Sequence, residues 1–335
     1  MLLAVATLAG CGKGLPGGGS LPGGDKVPGG LPGGGGGESG MVDPNTCGNY
    51  AGSEAGRRLK AFLQATKDLE AQTEETVKVV KQSCILIGNE IGMTELDYKG
   101  ETKDICATVY GRVTENLKVA FKSKAALKIK YKPAVCRLSV DATAKAAAEC
   151  EGKASADVGA SCSGVCNGKC DGTCAGKAGT GGSGGECNGE CKGTCHGTCE
   201  GHADVKASAQ CKASAEVHAS ADLECTEPEL DIAFDAKLVV DKAKAEMTIK
   251  GLKAGLPKIL SVKARLVPLK HAVETWASSA TELSSMGITA LSSFKDQATC
   301  VGGQIAAAAS LISKINANVS VSVEVSASAS GTVGG

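Results

Sequence analysis

The chain has 335 residues, which is enough for one large domain or two modest ones. Only 3% of the residues are aromatic, 46 are glycine, and much of the 42% apolar content is Ala and Cys, so a large conventional core is not expected. The 36 basic and 36 acidic residues balance, which excludes a general attraction to nucleic acid or to an anionic membrane surface. The 17 cysteines indicate either disulfides in an oxidising compartment or thiolates that bind metal.

The N-terminus bears on that choice. A short apolar run begins at Leu2 and ends in Leu8-Ala9-Gly10-Cys11. The last four residues resemble the lipobox of bacterial lipoproteins. The resemblance implies a signal peptide over residues 1–11, a lipid on the Cys11 thiol, and an outer-membrane or cell-surface location in the cell envelope. The alternative is a chance match. A basic n-region is missing before the apolar run, which a start codon placed too far downstream would explain.

Residues 12–46 are expected to form a linker. The segment is almost entirely Gly, Pro and Leu up to Gly40, and the motif x-P-G-G recurs along it. Such a segment cannot bury a core, and as a flexible coil of about 29 residues it would span roughly 30 Å. It is typical of a tether between a lipid and a folded domain.

Two regions show the three-to-four spacing of amphipathic helices, residues 52–93 and residues 268–315, with a break expected near Gly302-Gly303. Between them lie segments of period two, which predict strands. The predicted class is therefore α+β, with amphipathic helices packed on an antiparallel sheet. Residues 47–132 and 229–316 would form this base.

Residues 133–228 predict a very long antiparallel β-hairpin arm with a Cys-rich tip over 162–199. Small apolar residues occupy every odd position from 203 to 225 and nearly every even position from 138 to 162. If facing residues have numbers that sum to 361, the cysteines pair throughout, and Pro133 faces Pro228. The disulfides predicted on this basis are Cys136–Cys225, Cys150–Cys211, Cys162–Cys199, Cys166–Cys195, Cys170–Cys191 and Cys174–Cys187.

The same register makes further predictions. It continues below the prolines, where Leu127 would face Phe234, and at the tip it places Gly164 opposite Gly197 and Lys169 opposite Lys192. Residues 175–186 would form a flexible turn. With about 40 residues per strand, the arm would be on the order of 130 Å long.

Four cysteines remain after the arm and the lipobox are assigned: Cys47, Cys84, Cys106 and Cys300. We expect two further disulfides among them. The sequence does not select among the three connectivities, although Cys84–Cys300 would clamp the two helical regions together.

Metal binding is the rival interpretation of the eight cysteines at the tip, which form two tetrads with a spacing of four residues. The Cys-x-Gly-x repeats, with His196 and His202 nearby, suit a soft ion such as Cu or Zn. This alternative would use Cys162, Cys166, Cys170, Cys174, Cys187, Cys191, Cys195 and Cys199. It does not explain why the outlying cysteines obey the same register, so disulfides without a cofactor are preferred.

No catalytic residues are predicted. His196, His202 and His218 fall on or beside the arm without a recognisable triad, and they are expected to be solvated surface residues. Residues 317–335 form a Ser/Val/Ala tail, in which Val319 to Ala329 alternates like a strand; the alternative is a disordered tail. The small-residue face of the arm is expected to dock on the chain's own helices, on this tail or on another copy.

These observations predict a non-enzymatic, lipid-anchored protein of the cell envelope with a rigid, disulfide-stapled β projection for a structural, contact or assembly role. The alternative function is metal sequestration in the envelope by the tetrads. The expected partners are the membrane, through the lipid, and another copy or an envelope protein or polysaccharide. Nucleic acid is not an expected partner.

Overall fold

The structure is a computed structural model that describes residues 42–123, 126–178, 185–285 and 288–334. The expected signal peptide, Cys11 and the linker up to residue 41 lie outside the described residues. The helices are α1 Glu54–Glu90, α2 Thr102–Ala120, α3 Val140–Glu151, α4 Ala209–Ala221, α5 Lys242–Ser285, α6 Ala298–Ser310 and α7 Ile312–Gly334. The strands are β1 Leu127–Lys132, β2 Cys136–Ser139, β3 Ala160–Ala178, β4 Gly185–Val205, β5 Glu224–Cys225 and β6 Glu229–Phe234. The predicted α+β class is confirmed.

Helix α1 forms where the sequence predicts it. Ser53 caps its first turn by accepting a hydrogen bond from the Gly56 amide at 3.1 Å. Its buried side chains recur every three or four residues, among them Leu59, Phe62 and Leu69, and this stripe faces α5. In the centre of this contact the Trp276 indole N–H donates to the Thr66 hydroxyl at 2.8 Å, so the largest core side chain has its polar atom satisfied.

Helices α1 and α5 lie close together at two glycines of α5. A Cβ atom placed on Gly255 would lie 2.5 Å from the Ile87 Cγ1 atom and 2.5 Å from the Ser83 carbonyl oxygen. At Gly251 the Ile87 carbonyl oxygen would be 3.0 Å away. The backbones can therefore pack this tightly only because α5 carries no side chain at these positions.

The C-terminal helical region differs in its boundaries from the expectation. Helix α5 already begins at Lys242 and continues through Pro257 and Pro268, each of which leaves one backbone acceptor without its helical donor. The break lies at a 3₁₀ segment, Ile288–Gln297, and not at Gly302-Gly303, which sit inside α6. Helical packing thus overrides the helix-breaking tendency of single glycines and prolines.

The expected strand from Val319 to Ala329 is wrong, because this segment belongs to α7. Its buried positions include Val319, Ser322 and Val325, which follow a helical spacing against α1 and α5. Ser322 is small enough to be buried and donates to the Asn318 carbonyl, so its polarity concealed the helical period. By length and composition alone, Ser293–Gly331 is apolar enough to cross a membrane, with a mean hydropathy of 1.2. A core helix of a soluble protein can have the same length and composition.

The parts of the predicted arm that lie nearest the base are also not strands. Residues 140–151 and 209–221 form α3 and α4. Ser139 caps α3 through the Ala142 amide, and Gly152 ends it with φ 68°, a left-handed conformation that favours glycine. Alanine has the highest helix propensity, and this preference outweighs the period-two pattern. The continuous 130 Å arm is therefore wrong.

The two short helices dock on the chain's own core, which is one of the three docking partners expected for the small-residue face. Ala213 and Val217 of α4 belong to the main hydrophobic core formed by the long helices. Ala215 of α4 belongs to a second core that includes Ala148 of α3 and the buried cysteines of β3 and β4.

The lower part of the predicted register is confirmed. Strands β1 and β6 pair antiparallel, with Leu127 opposite Phe234 and Tyr131 opposite Leu230. Strands β2 and β5 place Cys136 opposite Cys225. β2 also pairs with β4, so the hairpin β3–β4 is joined to the base by a sheet in the order β3-β4-β2-β5.

Gly255→Ala tests the close approach of α1 and α5. We expect the substitution to lower the free energy of unfolding, because overpacking strain of about 1–3 kcal/mol exceeds the helix-propensity gain of about 1 kcal/mol. The matched control is Gly111→Ala on α2, where an added Cβ meets nothing within 4 Å and only the propensity gain remains. Urea unfolding of both variants provides the measurement, and equal stabilisation by both would contradict the close contact.

Candidate functional site

The hairpin β3–β4 is the most distinctive feature of the structure, and its backbone register differs from the expected one. Gly168 faces Gly197 and Gly172 faces Gly193, so the residue numbers of facing positions sum to 365 instead of 361. The predicted pairing of Gly164 with Gly197 is therefore wrong by four residues, and Lys169 faces His196 instead of Lys192. Glycine still faces glycine, because the repeat is itself four residues long.

The sulphur atoms, in contrast, join the pairs that the sequence arithmetic gave. The disulfides of the hairpin are Cys162–Cys199, Cys166–Cys195, Cys170–Cys191 and Cys174–Cys187. Backbone and sulphurs thus follow registers that differ by four residues. On a flat ribbon such an offset would separate the two Cα atoms by about 13 Å, but those of Cys162 and Cys199 are 5.6 Å apart.

The ribbon must therefore coil tightly, and the disulfides span the inside of the coil. A second set of strand pairs supports this conclusion. Residues 166–170 of β3 pair with residues 195–199 of β4 along one edge and with residues 185–189 along the other. Cys166 and Cys199 are fully buried, as expected for side chains that fill the interior.

The glycines of the repeat make room for this coil. A Cβ atom on Gly168 would lie 2.1 Å from the His196 carbonyl oxygen of the facing strand. A side chain at this position would collide with backbone, which cannot move without breaking the ladder. We call the residues that point into the coil its inner row and those that point outward its outer row. The repeat Cys-x-Gly-x alternates a cysteine sulphur with a glycine, which has no side chain, along the inner row.

The remaining disulfides hold the rest of the chain. Cys150–Cys211 joins α3 to α4, and Cys136–Cys225 joins β2 to β5. The four other described cysteines form two disulfides, Cys47–Cys300 and Cys84–Cys106. The suggested Cys84–Cys300 clamp is wrong: Cys84 instead ties α1 to the neighbouring α2.

These bonds bear on the metal alternative. All eight tetrad cysteines are in disulfides, so none of them is a thiolate that could bind Cu or Zn in this oxidised form. Across the ranges that the structure covers, no group of three or more His, Cys, Asp or Glu residues is arranged for a metal ion.

The outer row of the coil is polar, and one histidine links it to the helices. The His196 imidazole lies 3.1 Å from Asp141 of α3 through Nδ1 and 3.1 Å from Asp171 of β3 through Nε2. These side chains are about half exposed, as predicted for His196. His218 is also exposed and contacts Asp222.

The most unusual polar cluster lies where the coil meets α4 and α5. His202 of β4 stacks on His271 of α5 with ring centroids 3.7 Å apart. The His271 Nε2 atom is 3.3 Å from the Glu216 carboxylate, whose side chain is only 3% exposed. Lys212 pairs with Asp204 at 2.7 Å and is 4.0 Å from Glu216. Among the described atoms, neither Glu216 oxygen nor His271 Nε2 has a well-directed hydrogen bond.

The electrostatics of the cluster favour uncharged forms. Burial raises the pKa of Glu216 to about 7, against weaker lowering by the nearby Thr275 hydroxyl and by Lys212. Burial also lowers the pKa of His271 and that of His202, and the neighbouring charges of Lys212 and, for His202, His271 act in the same direction. A protonated Glu216 facing a neutral His271 is the arrangement that all three shifts support.

Sequence reasoning missed this cluster. His202 was expected to be solvated, but it is partly buried, and Glu216 occupies a polar position of the alternating pattern. Once residues 209–221 form a helix, Glu216 turns towards α5. Only recognition of α4 as a helix could have identified it from the sequence.

Comparisons of the chain with family models, with curated proteins and with solved structures gave no match.

Replacing Glu216 tests the buried carboxyl. A folded-state pKa raised from 4.5 to about 7 means that its stabilising contribution is complete below pH 4.5 and is lost as the pH rises to about 7. We therefore expect the free energy of unfolding of the wild type, relative to that of Glu216→Gln, to fall by about 3 kcal/mol across this range. The depressed histidine pKa values act in the opposite direction below pH 6.5, but they are common to both proteins.

Denaturant unfolding at a series of pH values provides this measurement. Glu246→Gln is the control, because Glu246 is an exposed carboxylate on α5 that pairs with Lys242 in the same helix. The control should follow the wild type within about 0.5 kcal/mol. Parallel pH profiles for the wild type and Glu216→Gln would contradict a buried, protonated Glu216.

Proposed function

We propose that the protein is a non-enzymatic, lipid-anchored component of the cell envelope, whose coiled hairpin is a rigid element for spacing, contact or assembly. One observation carries the proposal: four disulfides fill the interior of a single coiled hairpin. The hairpin places sulphur where other domains place aliphatic side chains.

The energetics explain why such a hairpin needs cross-links. A two-stranded ribbon is marginal in water, because a buried methyl group contributes about 0.8 kcal/mol and ordering a residue costs about 1–2 kcal/mol. The innermost bridge closes a short loop, with a sequence separation of 13. Closing such a loop contributes on the order of 3 kcal/mol, and each further bridge adds less.

The density of cross-links supports a role outside the reducing cytosol. A cytosolic thiol pool would reduce accessible disulfides, whereas an envelope compartment maintains them. The lipobox-like Leu8-Ala9-Gly10-Cys11 and the Gly/Pro segment after it fit the same location, since they would connect the folded part to a membrane. A rigid polar surface at the end of a tether suits a contact role better than it suits catalysis.

Membrane fractionation of cells that express the gene from its own locus tests the anchor. We expect the wild-type protein in the membrane fraction, carrying a fatty acid label on Cys11. Cys11→Ser should move the protein to the soluble fraction without the label, and Gly12→Ala should behave like the wild type. A wild-type protein without the label would contradict lipid anchoring, whatever the state of the hairpin.

Mass spectrometry of alkylated, non-reduced protein tests the ladder separately. We expect the 16 cysteines that are disulfide-bonded in the structure to resist alkylation. Proteolytic fragments should show the four hairpin pairs. Alkylated tetrad cysteines in protein that co-purifies with Cu or Zn would instead favour metal sequestration.

A further inference from the structure

The coil contains a window in its wall. On the edge of β3 where residues 166–170 pair with residues 185–189, the pairing ends with Cys166 opposite Gly189. Continued in the same register, residues 161–165 would pair with residues 190–194. Instead, residues 161–165 and 190–193, together with His202 and Asp204, line an open cavity of about 710 Å³.

The window is bounded at both ends. At one end the two edges pair at Cys166 and Gly189. At the other end the edges approach each other again, because the Cβ position of Gly159 is 3.8 Å from the Thr194 hydroxyl. Five residues of β3 therefore border an opening about 16 Å long.

Both borders of the window are free strand edges. In an antiparallel ladder, successive residues direct their N–H and C=O groups to opposite edges. Over the chain that the structure describes, no strand pairs with the outward groups of residues 161–165 or 190–193. Two free edges that face each other across a gap are a template for one added strand.

The side chains around the window indicate what would fit. On the inner row Gly164 and Gly193 are exposed, whereas Gly168 and Gly189 beyond the window are partly covered. An added strand would therefore find room for inward side chains beside the disulfides. On the outer row it would meet Ser163, Glu190 and Lys192.

We propose that this window binds an extended polypeptide segment of a partner protein, which adds as a strand between β3 and β4. The segment alternates small apolar residues, which enter beside the glycines, with polar residues that contact the outer row. The only ring among the described lining residues is the imidazole of His202, which is already stacked on His271, so the lining offers little flat surface for a sugar ring. The site does not depend on whether the protein carries a lipid.

The test uses the oxidised full-length protein and phage-displayed random heptapeptides. Enriched peptides are synthesised with a fluorescent label, and their Kd is measured by anisotropy. We expect alternating apolar and polar sequences, and we expect N-methylation of alternate amides to weaken binding at least tenfold, because it removes hydrogen bonds to one edge.

Two double-cysteine variants provide the structural control. A gap that admits one strand separates its borders by about 10 Å, so S163C/K192C is joined in the continued register by a bifunctional maleimide with a spacer of that length. This cross-link should weaken peptide binding at least tenfold. N167C/N188C places the same cross-link across the part of the same edge that is already paired, and its Kd should stay within about threefold of the wild type. Mass spectrometry verifies each new bond.

Several outcomes would overturn the proposal. They are a lack of peptide enrichment, equal binding by both double-cysteine variants, and equal binding of N-methylated peptides. Binding of tetra-N-acetylglucosamine in place of peptides would assign the window to a saccharide. Failure of the maleimide to join S163C/K192C while it joins N167C/N188C would show that the edges do not face each other as inferred.

Discussion

The hairpin depends on a mismatch of four residues between its two kinds of cross-strand bond. Its backbone hydrogen bonds place Cys166 opposite Cys199, whereas its sulphurs join Cys166 to Cys195. A flat ribbon satisfies one of these registers at a time. A tight coil satisfies both, because it brings residues that are distant along the ribbon to opposite sides of one narrow interior. Empty glycine positions on the inner row are then a steric requirement.

The coil is held on the helical bundle by a buried carboxylate that is very different from Glu216. The Glu151 side chain is 2% exposed, at the end of α3. It accepts hydrogen bonds from the Ser208 amide before α4 and from Arg58 of α1. Burial alone would raise the pKa of Glu151, but these donors outweigh it and the net shift is downward. Glu151 is thus held in a fixed ion pair, whereas Glu216, whose oxygens have no well-directed hydrogen bond among the described residues, gives up its proton only near pH 7.

The parts of the fold that could be predicted from the sequence are those in which a residue must meet a partner of the same type. Cysteines must meet cysteines, so arithmetic on Cys136 and Cys225 recovered their pairing and the register of β1 with β6. Helix α1 was predictable because large side chains such as Phe62 mark its buried stripe. Helices α3, α4 and α7 were not, since Ala and Ser are small enough to be buried or exposed. In these segments an alternating sequence carries no reliable period, and helix propensity together with packing decides the structure. The Glu216 cluster was lost with α4.

The four-residue repeat also makes the coil ambiguous about its own alignment. If β4 slid by four residues along β3, cysteine would again meet cysteine and glycine would again meet glycine. Only one bridge of the ladder would be lost, so the repeat by itself discriminates weakly between the two alignments. The cysteines outside the repeat remove this ambiguity, because Cys150 and Cys211 sit on helices that cannot slide with the strands. The short helices α3 and α4, joined by Cys150–Cys211, therefore select one strand alignment from a set of nearly equivalent ones.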